Sequence, residues 1–205
     1  MKVIILTCVF GRHETFKRCH LNNNLDTVVV YSTDEDETFL NELGIEHMHR
    51  YNNFPLSSKW NHGVRCLESI DFDYVIMLGS DDYFDLDFLE YIKAEAPGND
   101  MLAFKDMYFE KDNNYFYWSG YKGTREGEPA GAGKVYSKEF LKSIDYNLFP
   151  RVKNNGLDGM SWSIVKKMTK KIKIESLIDN GLFLCDIKDG EGLTKLTKIK
   201  GLREC

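Results

Sequence analysis

Four short apolar runs in the first eighty residues constrain this chain more than any other feature. They are KVIILTCVF at the start, TVVVYS (Thr27–Ser32), Ile45–His49 and DYVIML (Asp73–Leu78). The first, second and fourth lack the polar alternation of a half-solvated strand and read as strands buried on both faces; the third reads as a shorter strand. Polar segments with helical spacing separate them. One carries Phe16, Cys19 and His20; one runs from Thr38 to Leu43 and stops at Gly44; one runs from about Lys59 to Ile70, with Ser57 or Ser58 as its cap. Strands alternating with helices pack as a mostly parallel sheet covered on both faces, and such sheets hold ligands beyond the carboxyl ends of their strands. The loops after Val9, Ser32 and Leu78 are therefore expected to share one crevice.

The second half changes pattern. Asp85 to Ala94 reads as a helix closed by Pro97-Gly98, and Met101–Glu110 with Tyr115–Trp118 reads as a hairpin around Lys111-Asp-Asn-Asn. Five glycines between Gly120 and Gly133 mark a loop, Ser137 caps the short helix KEFLKSI, and a last helix runs from about Gly159 to Met168. No repeat or linker interrupts the chain. The expected architecture is a single α/β domain over residues 1–205 with a central, mostly parallel mixed sheet flanked by helices. The alternating half extends to about residue 100, a second half covers about 101–190, and a tail follows.

Charge and apolar content narrow the partners. With 42% hydrophobic residues and 29% charged ones the chain is neither disordered nor fibrous. A net charge of -5 gives no electrostatic footprint for nucleic acid. Residues 164–205 hold ten basic and six acidic side chains, so the tail could meet phosphate or a further C-terminal domain. No apolar run approaches the roughly 20 residues that span a bilayer, and Met1-Lys2 leads straight into the first strand, so neither a signal peptide nor a membrane span is expected. Five cysteines without a CxxC pair suggest reduced thiols and a cytoplasmic location. Five histidines without HxxxH or HExxH spacing give no support to a zinc hydrolase.

The segment around Gly133-Lys134 lacks the remaining residues of a Walker A loop, and the first strand-to-helix turn has only Gly11, which fits neither a P-loop NTPase nor a dinucleotide-binding dehydrogenase. The strongest chemical signal is LGSDDYF (Leu78–Phe84), two adjacent carboxylates at the mouth of a buried strand. They could hold an oxygen-ligated Mg or Mn ion against a diphosphate, or one of them could cap the helix that starts near Asp85.

At LGSDD the chain resembles the GT-A glycosyltransferases, particularly the family 2 type, whose corresponding strand ends in an Asp-x-Asp or LDxDD motif. The resemblance covers about residues 1–190 and implies a nucleotide-binding half over about 1–100 and an acceptor and donor-sugar half over about 101–190. It implies that Asp81 binds the metal, Mn2+ or Mg2+, with Asp82 supporting or replacing it, and that Ser80 and Asp81 lie against the nucleotide; the motif's first Asp is Gly79 here. The opening LTCVFGR is similar to the family's nucleotide loop and places Thr7, Cys8, Phe10 and Arg12 around the base and ribose. A Phe that stacks on a base and a guanidinium that binds oxygen atoms suit a nucleotide, although core and surface placements are equally compatible with the sequence. Ser32 and Asp34 end the second strand, where the family reads the uracil edge, although Asp34 with Asp36 and Glu37 also fits a solvated acidic turn; in PLSSKWNHGVRCL the basic residue and Asn that face the nucleotide are Lys59 and Asn61, Lys59 being otherwise a plain surface residue.

Downstream, GAGKVYSKEFL resembles the family's donor-sugar loop, with Gly133 and Lys134, and NNGLDGMSW resembles the acceptor motif of inverting enzymes. Asp158 then corresponds to the catalytic base, or else caps its helix, and Trp162 stacks on a sugar or fills the core. DIKDGEGLT (Asp186–Thr194) suits a loop folding over the donor, with Lys188 reaching phosphate and Asp186 completing the metal shell. Tyr115, Tyr117, Trp118 and Tyr121 could form an acceptor platform. The segment order is also similar to the glycosyltransferase domains with which chlorella viruses, large algal DNA viruses, decorate capsid glycans.

The resemblance implies a metal-dependent hexosyltransferase that uses a UDP-sugar donor, UDP-glucose by default, and a glycan or glycoprotein acceptor, without nucleic acid. The rivals are a sugar-nucleotide nucleotidyltransferase, whose Gly-rich GxGxR loop TCVFGRHE lacks, and a non-catalytic sugar- or nucleotide-binding module of the same fold.

Overall fold

The computed structural model describes residues 1–20, 25–188, 196, 199 and 201–205. The four apolar runs become β1 (Val3–Cys8), β2 (Thr27–Tyr31), β3 (His47–Arg50) and β4 (Tyr74–Met77), joined by helices α1 (His13–His20), α2 (Asp34–Glu42) and α3 (Leu56–Cys66). Then come β5 (Asp82–Phe84), α4 (Leu86–Glu95), β6 (Met101–Phe104), β7 (Met107–Lys111), β8 (Asn114–Trp118), β9 (Lys134–Ser137), α5 (Lys138–Ser143), α6 (Leu157–Met168), β10 (Ile172–Glu175), β11 (Leu184–Ile187) and β12 (Leu202–Glu204).

A seven-stranded sheet in the order β10-β6-β9-β4-β1-β2-β3 forms the centre. β1 pairs in parallel with β2 and β4, β2 with β3, and β6 with β10; only β9 runs antiparallel to its neighbours. The expected mixed, mostly parallel sheet is what the chain builds. Its central strands are apolar on both faces because both are covered: Ile4, Leu6, Val75 and Met77 pack toward α3, α5 and α6 in one core cluster, while Val3, Ile5 and Ile76 meet α4 in another.

Local boundaries depart from the sequence reading for identifiable reasons. α2 starts four residues earlier than expected because Thr33 and Asp36 form a reciprocal capping box. α3 starts at Leu56 without a side-chain cap, and Ser57 is instead engaged with Lys153: its Oγ accepts from the Lys153 N–H at 2.8 Å. Asp85 itself caps α4, accepting from the Phe88 N–H at 2.9 Å, so neither Asp81 nor Asp82 is needed there. Ser137 caps α5 as expected, accepting from the Phe140 N–H at 3.1 Å.

The larger correction concerns Met101–Glu110, which is two strands in two sheets. β6 belongs to the central sheet, whereas β7 turns through Asp112 and Asn113, both left-handed, into β8. A second sheet, β12-β8-β7-β11-β5, forms around that hairpin. Its strand β11 runs parallel to β7 and antiparallel to β5, and the sequence reading contained neither this pairing nor β10, β11 and β12. Among the described residues no helix is long and apolar enough to cross a membrane.

Candidate active site

The carboxyl ends of β1, β2 and β4 open on one crevice, as the strand pattern requires. After β1 the chain turns through Gly11 and Arg12, both left-handed, at φ 58° and 54°. Asp36 holds that turn. Its fully buried carboxylate accepts from the N–H of Gly11 at 2.8 Å, from His13 Nε2 at 2.8 Å, and from the Ser32 and Thr33 N–H groups at 3.2 and 3.1 Å. Burial works against this charge, but the hydrogen bonds from His13, Gly11, Ser32 and Thr33 outweigh it and hold the carboxyl below its usual range. Lys59 completes the tie: its buried ammonium donates to the Val9 carbonyl, to Ser32 Oγ at 2.7 Å and to Asn53 Oδ1 at 3.2 Å.

The anchored turn aims Arg12 at the acidic loop after β4, where Nη1 donates to Asp81 Oδ2 at 2.9 Å. Asp82 begins β5 and lies directly across from Asp186 on β11. One carboxylate oxygen from each of Asp81, Asp82 and Asp186 falls within 4.8 Å of the others. Like charges opposite one another destabilise a sheet, and Asp82 is 5% exposed. Burial, then the neighbouring Asp186 and Asp81 charges, push its carboxyl well up. Burial and Asp81 likewise push Asp186 up to about 7, against the pull of Lys188, with which it pairs.

Gly79 explains the departure from an Asp at the head of the motif. A Cβ there would lie 2.7 Å from Asp81 Oδ1 and 3.0 Å from Asp82 Oδ2, so a side chain would displace the carboxylates. Its N–H donates to Asp82 Oδ2 at 2.6 Å, and its carbonyl accepts from His20 Nε2 at 3.0 Å.

Asp158, in the first turn of α6, faces the cluster across two adjoining cavities. The larger, about 510 Å³, is lined by Asp81, Asp82, Asp158, Asp186 and Lys188 together with Met107, Phe109, Trp118 and Tyr121. The smaller, about 180 Å³, shares Asp82, Gly131, Ala132 and Asp158 with it and adds Lys134, Tyr136 and Ser161. Gly131 permits this arrangement: a Cβ on it would meet the Asp158 carboxylate at 2.8 to 3.0 Å. Lys134, almost fully buried, donates to Ser161 Oγ at 3.2 Å and stands 3.8 Å from Asp158 Oδ1.

Other expected residues are placed differently. Asp34 is 85% exposed at its side chain and pairs with Arg50 at 2.6 Å, while Asp36, two residues on, is the buried carboxylate that holds the turn after β1. Asn61 points away: its amide donates to Asn147 Oδ1 at 2.8 Å and the Phe149 carbonyl at 2.7 Å, fixing the chain after α5. Lys59 is committed to backbone and side-chain oxygens inside the fold. Gly133 serves packing; a Cβ there would lie 2.4 Å from Leu184 Cδ2. Trp162 packs against the core with Lys166 over its ring at 5.1 Å. Phe10 is half exposed, Ser80 partly so, and Thr7 and Cys8 lie at the end of β1, where burial pushes the Cys8 thiol up to about 12.

Of the aromatic platform, Trp118 and Tyr121 line the larger cavity, whereas Tyr117 donates to buried Asp106 at 2.9 Å and Tyr115 packs edge-on against Phe183. Asp186 and Lys188 are both at the site, while residues 189–194 of the expected covering loop lie outside the described residues. Sequence reasoning missed Asp36 and Tyr136. The TDED capping signal marked Asp36; no local signal marks Tyr136.

No protein-family model and no curated protein sequence matches the chain. Among solved structures it is similar to S. aureus TarS 1–349, with TM-score 0.56 and 14% identity over 85% of this chain and 58% of that one. TarS 1–349 has also been solved with UDP and with UDP-GlcNAc. It is similar too to the inositol-1-phosphate CTP transferase from T. maritima, with TM-score 0.54 and 11% identity over 95% and 92% of the two chains. A third likeness is to a putative nucleotide-diphospho-sugar transferase from Desulfovibrio desulfuricans G20, with TM-score 0.57 and 12% identity over 92% and 84%. The chain thus spans little more than half of TarS 1–349, and these likenesses do not bear on the algal-virus resemblance. At such identities they speak to architecture alone, and that architecture, a mixed sheet flanked by helices, is one the chain shares with these structures.

Proposed function

We propose that this chain is a metal-dependent glycosyltransferase that moves a hexose from a UDP-sugar to a hydroxyl of a glycan or glycoprotein acceptor, with inversion, and that it works in the cytoplasm, that of the host if the source is viral. The observation that carries this reading is the meeting of Asp81, Asp82, Asp186 and Asp158 on one cavity. An all-carboxylate donor set suits a hard divalent cation, Mn2+ or Mg2+, and Asp186 Oδ1, buried without a hydrogen-bond partner among the described residues, is available to it. Such an ion, when bound, would supply positive charge to the departing diphosphate.

The protein's own groups divide the rest of the work. Phe10, half exposed just before the Gly11–Arg12 turn, stacks on the base. Arg12 and Lys188, both within reach of the carboxylate cluster, bind phosphate oxygens as charge builds on the leaving group. Asp158 takes the proton of the acceptor hydroxyl as that oxygen attacks the anomeric carbon and the bond to the diphosphate breaks. Trp118 and Tyr121 offer flat faces to the acceptor.

The test is thermal unfolding with UDP, GDP, CDP and AMP, each with and without Mn2+. A ligand at about 100 times its dissociation constant adds roughly 2.7 kcal/mol, and the expected result is a Mn2+-dependent upshift with UDP. Asp81→Ala should abolish that shift, while Asp158→Asn should keep it and lose transfer. A shift with CDP alone would favour the nucleotidyltransferase reading, and no shift with any nucleotide would overturn the proposal in favour of a binding module.

A further inference from the structure

The smaller cavity is built for one kind of substituent. Lys134 reaches it from β9 with a side chain 4% exposed. An ammonium has three donors to place; this one donates to Ser161 Oγ at 3.2 Å and, at the limit of 3.5 Å, to the Asp158 carbonyl, and stands 3.8 Å from Asp158 Oδ1. Tyr136, also on β9, borders the same space with a fully buried hydroxyl that lies beside Ser161 but makes no well-formed hydrogen bond among the described residues. Two buried donors whose partners are long or poorly placed gain from a bound group that accepts from them.

The remaining walls decide the class of that group. Trp60, Met77, Phe149 and Leu157 are apolar, so a substituent made only of hydroxyls would leave them uncovered. Asp82 and Asp158 also border the cavity and set two carboxylates against the one ammonium, so an anionic sugar such as a uronate would be repelled. A neutral amide meets every condition: its carbonyl oxygen accepts from Lys134 and Tyr136, and its methyl group packs on the apolar wall. Asp82 belongs both to this cavity and to the carboxylate cluster, so a sugar whose diphosphate is held at that cluster can place its ring here.

We propose that the cavity between Lys134, Tyr136 and Phe149 is a specificity pocket for the acetamido group of the donor, making the substrate a UDP-N-acetylhexosamine rather than UDP-glucose. This rests on the UDP-sugar reading above and refines it. Lys134 and Tyr136 are then specificity-determining residues, contacting the sugar away from the bond that breaks.

Calorimetric titration in the presence of Mn2+ with UDP, UDP-glucose, UDP-N-acetylglucosamine and UDP-glucuronate tests it. On the wild-type protein UDP-N-acetylglucosamine should bind about tenfold more tightly than UDP-glucose, the worth of one or two well-placed hydrogen bonds plus a buried methyl group. Tyr136→Phe and Lys134→Met should each remove most of that preference while UDP itself binds as before. If UDP binds but UDP-glucose or UDP-glucuronate equals or exceeds the acetamido donor, the pocket assignment is wrong and the UDP-sugar reading stands. If UDP does not bind the wild-type protein, the broader reading falls and takes this one with it. If a folded variant keeps the preference, the pocket assignment is likewise wrong, and Tyr136→Phe, which removes a single oxygen atom, carries the test if Lys134→Met fails to fold.

Discussion

Replacing Asp36 with Ala removes the one carboxylate that ties the turn after β1 to the end of β2. Four hydrogen bonds go with it, from Gly11, Ser32, Thr33 and His13, and three of the donors are backbone N–H groups left without that partner. Each lost bond to a charged group is worth about 1.5–3 kcal/mol, less whatever water recovers at this crevice; about 3 kcal/mol in total is a conservative sum. In a chain of 205 residues that lowers the melting temperature by roughly 6–12 °C. Asp34→Ala is the control. Its pair with Arg50 is open to solvent on both sides, and such pairs contribute little to stability. Differential scanning calorimetry on the two variants decides the matter, and UDP titration should show the Asp36 variant alone losing affinity as Arg12 leaves its aim. Equal and small shifts from both substitutions would refute the view that Asp36 organises the nucleotide loop.

Gly131→Ala should cut turnover at least about tenfold with UDP binding unchanged, because the new methyl displaces the Asp158 carboxylate that it would otherwise meet at 2.8 Å; unaltered kcat would show that Asp158 need not sit where it does. His20, buried against Phe16, has its imidazole pushed down to about 4, first by burial. The unfolded chain takes up its proton near pH 6.5, so between these values it binds more protons than the fold, and the stability due to neutral His20 is lost as pH falls, by about 3 kcal/mol. Asp82 and Asp186, pushed up, act in the opposite sense over part of this range. The difference between wild type and His20→Gln in urea midpoint from pH 7 to 4 therefore isolates the imidazole, and a pH-independent difference would contradict its buried, neutral state.

The parallel half of the fold was legible in the chain because burial on both faces leaves an uninterrupted apolar run, and each such run in the first eighty residues became a strand of the central sheet. The Ser137 cap was legible for a related reason, since a cap is settled within three residues of chain. Choosing between Asp34 and Asp36 was not, because two positions on a helix differ by about 200° of rotation and only the packing of α2 against the sheet says which one faces in. Lys59 and Asn61 show the same limit: their helix and chemistry could be read, but not that the fold turns both heads inward to bind oxygen atoms of its own loops. The second sheet was invisible for a deeper reason. Its pairing of β5 with β11 joins residues about a hundred positions apart, and no local periodicity encodes a partner at that distance. Asp82 and Asp186 become neighbours only through it. The sequence by itself supplied the carboxylates, the strand mouths and the turn chemistry; tertiary structure alone decided which carboxylates meet, because side chains distant in sequence converge only once the sheets that carry them have paired.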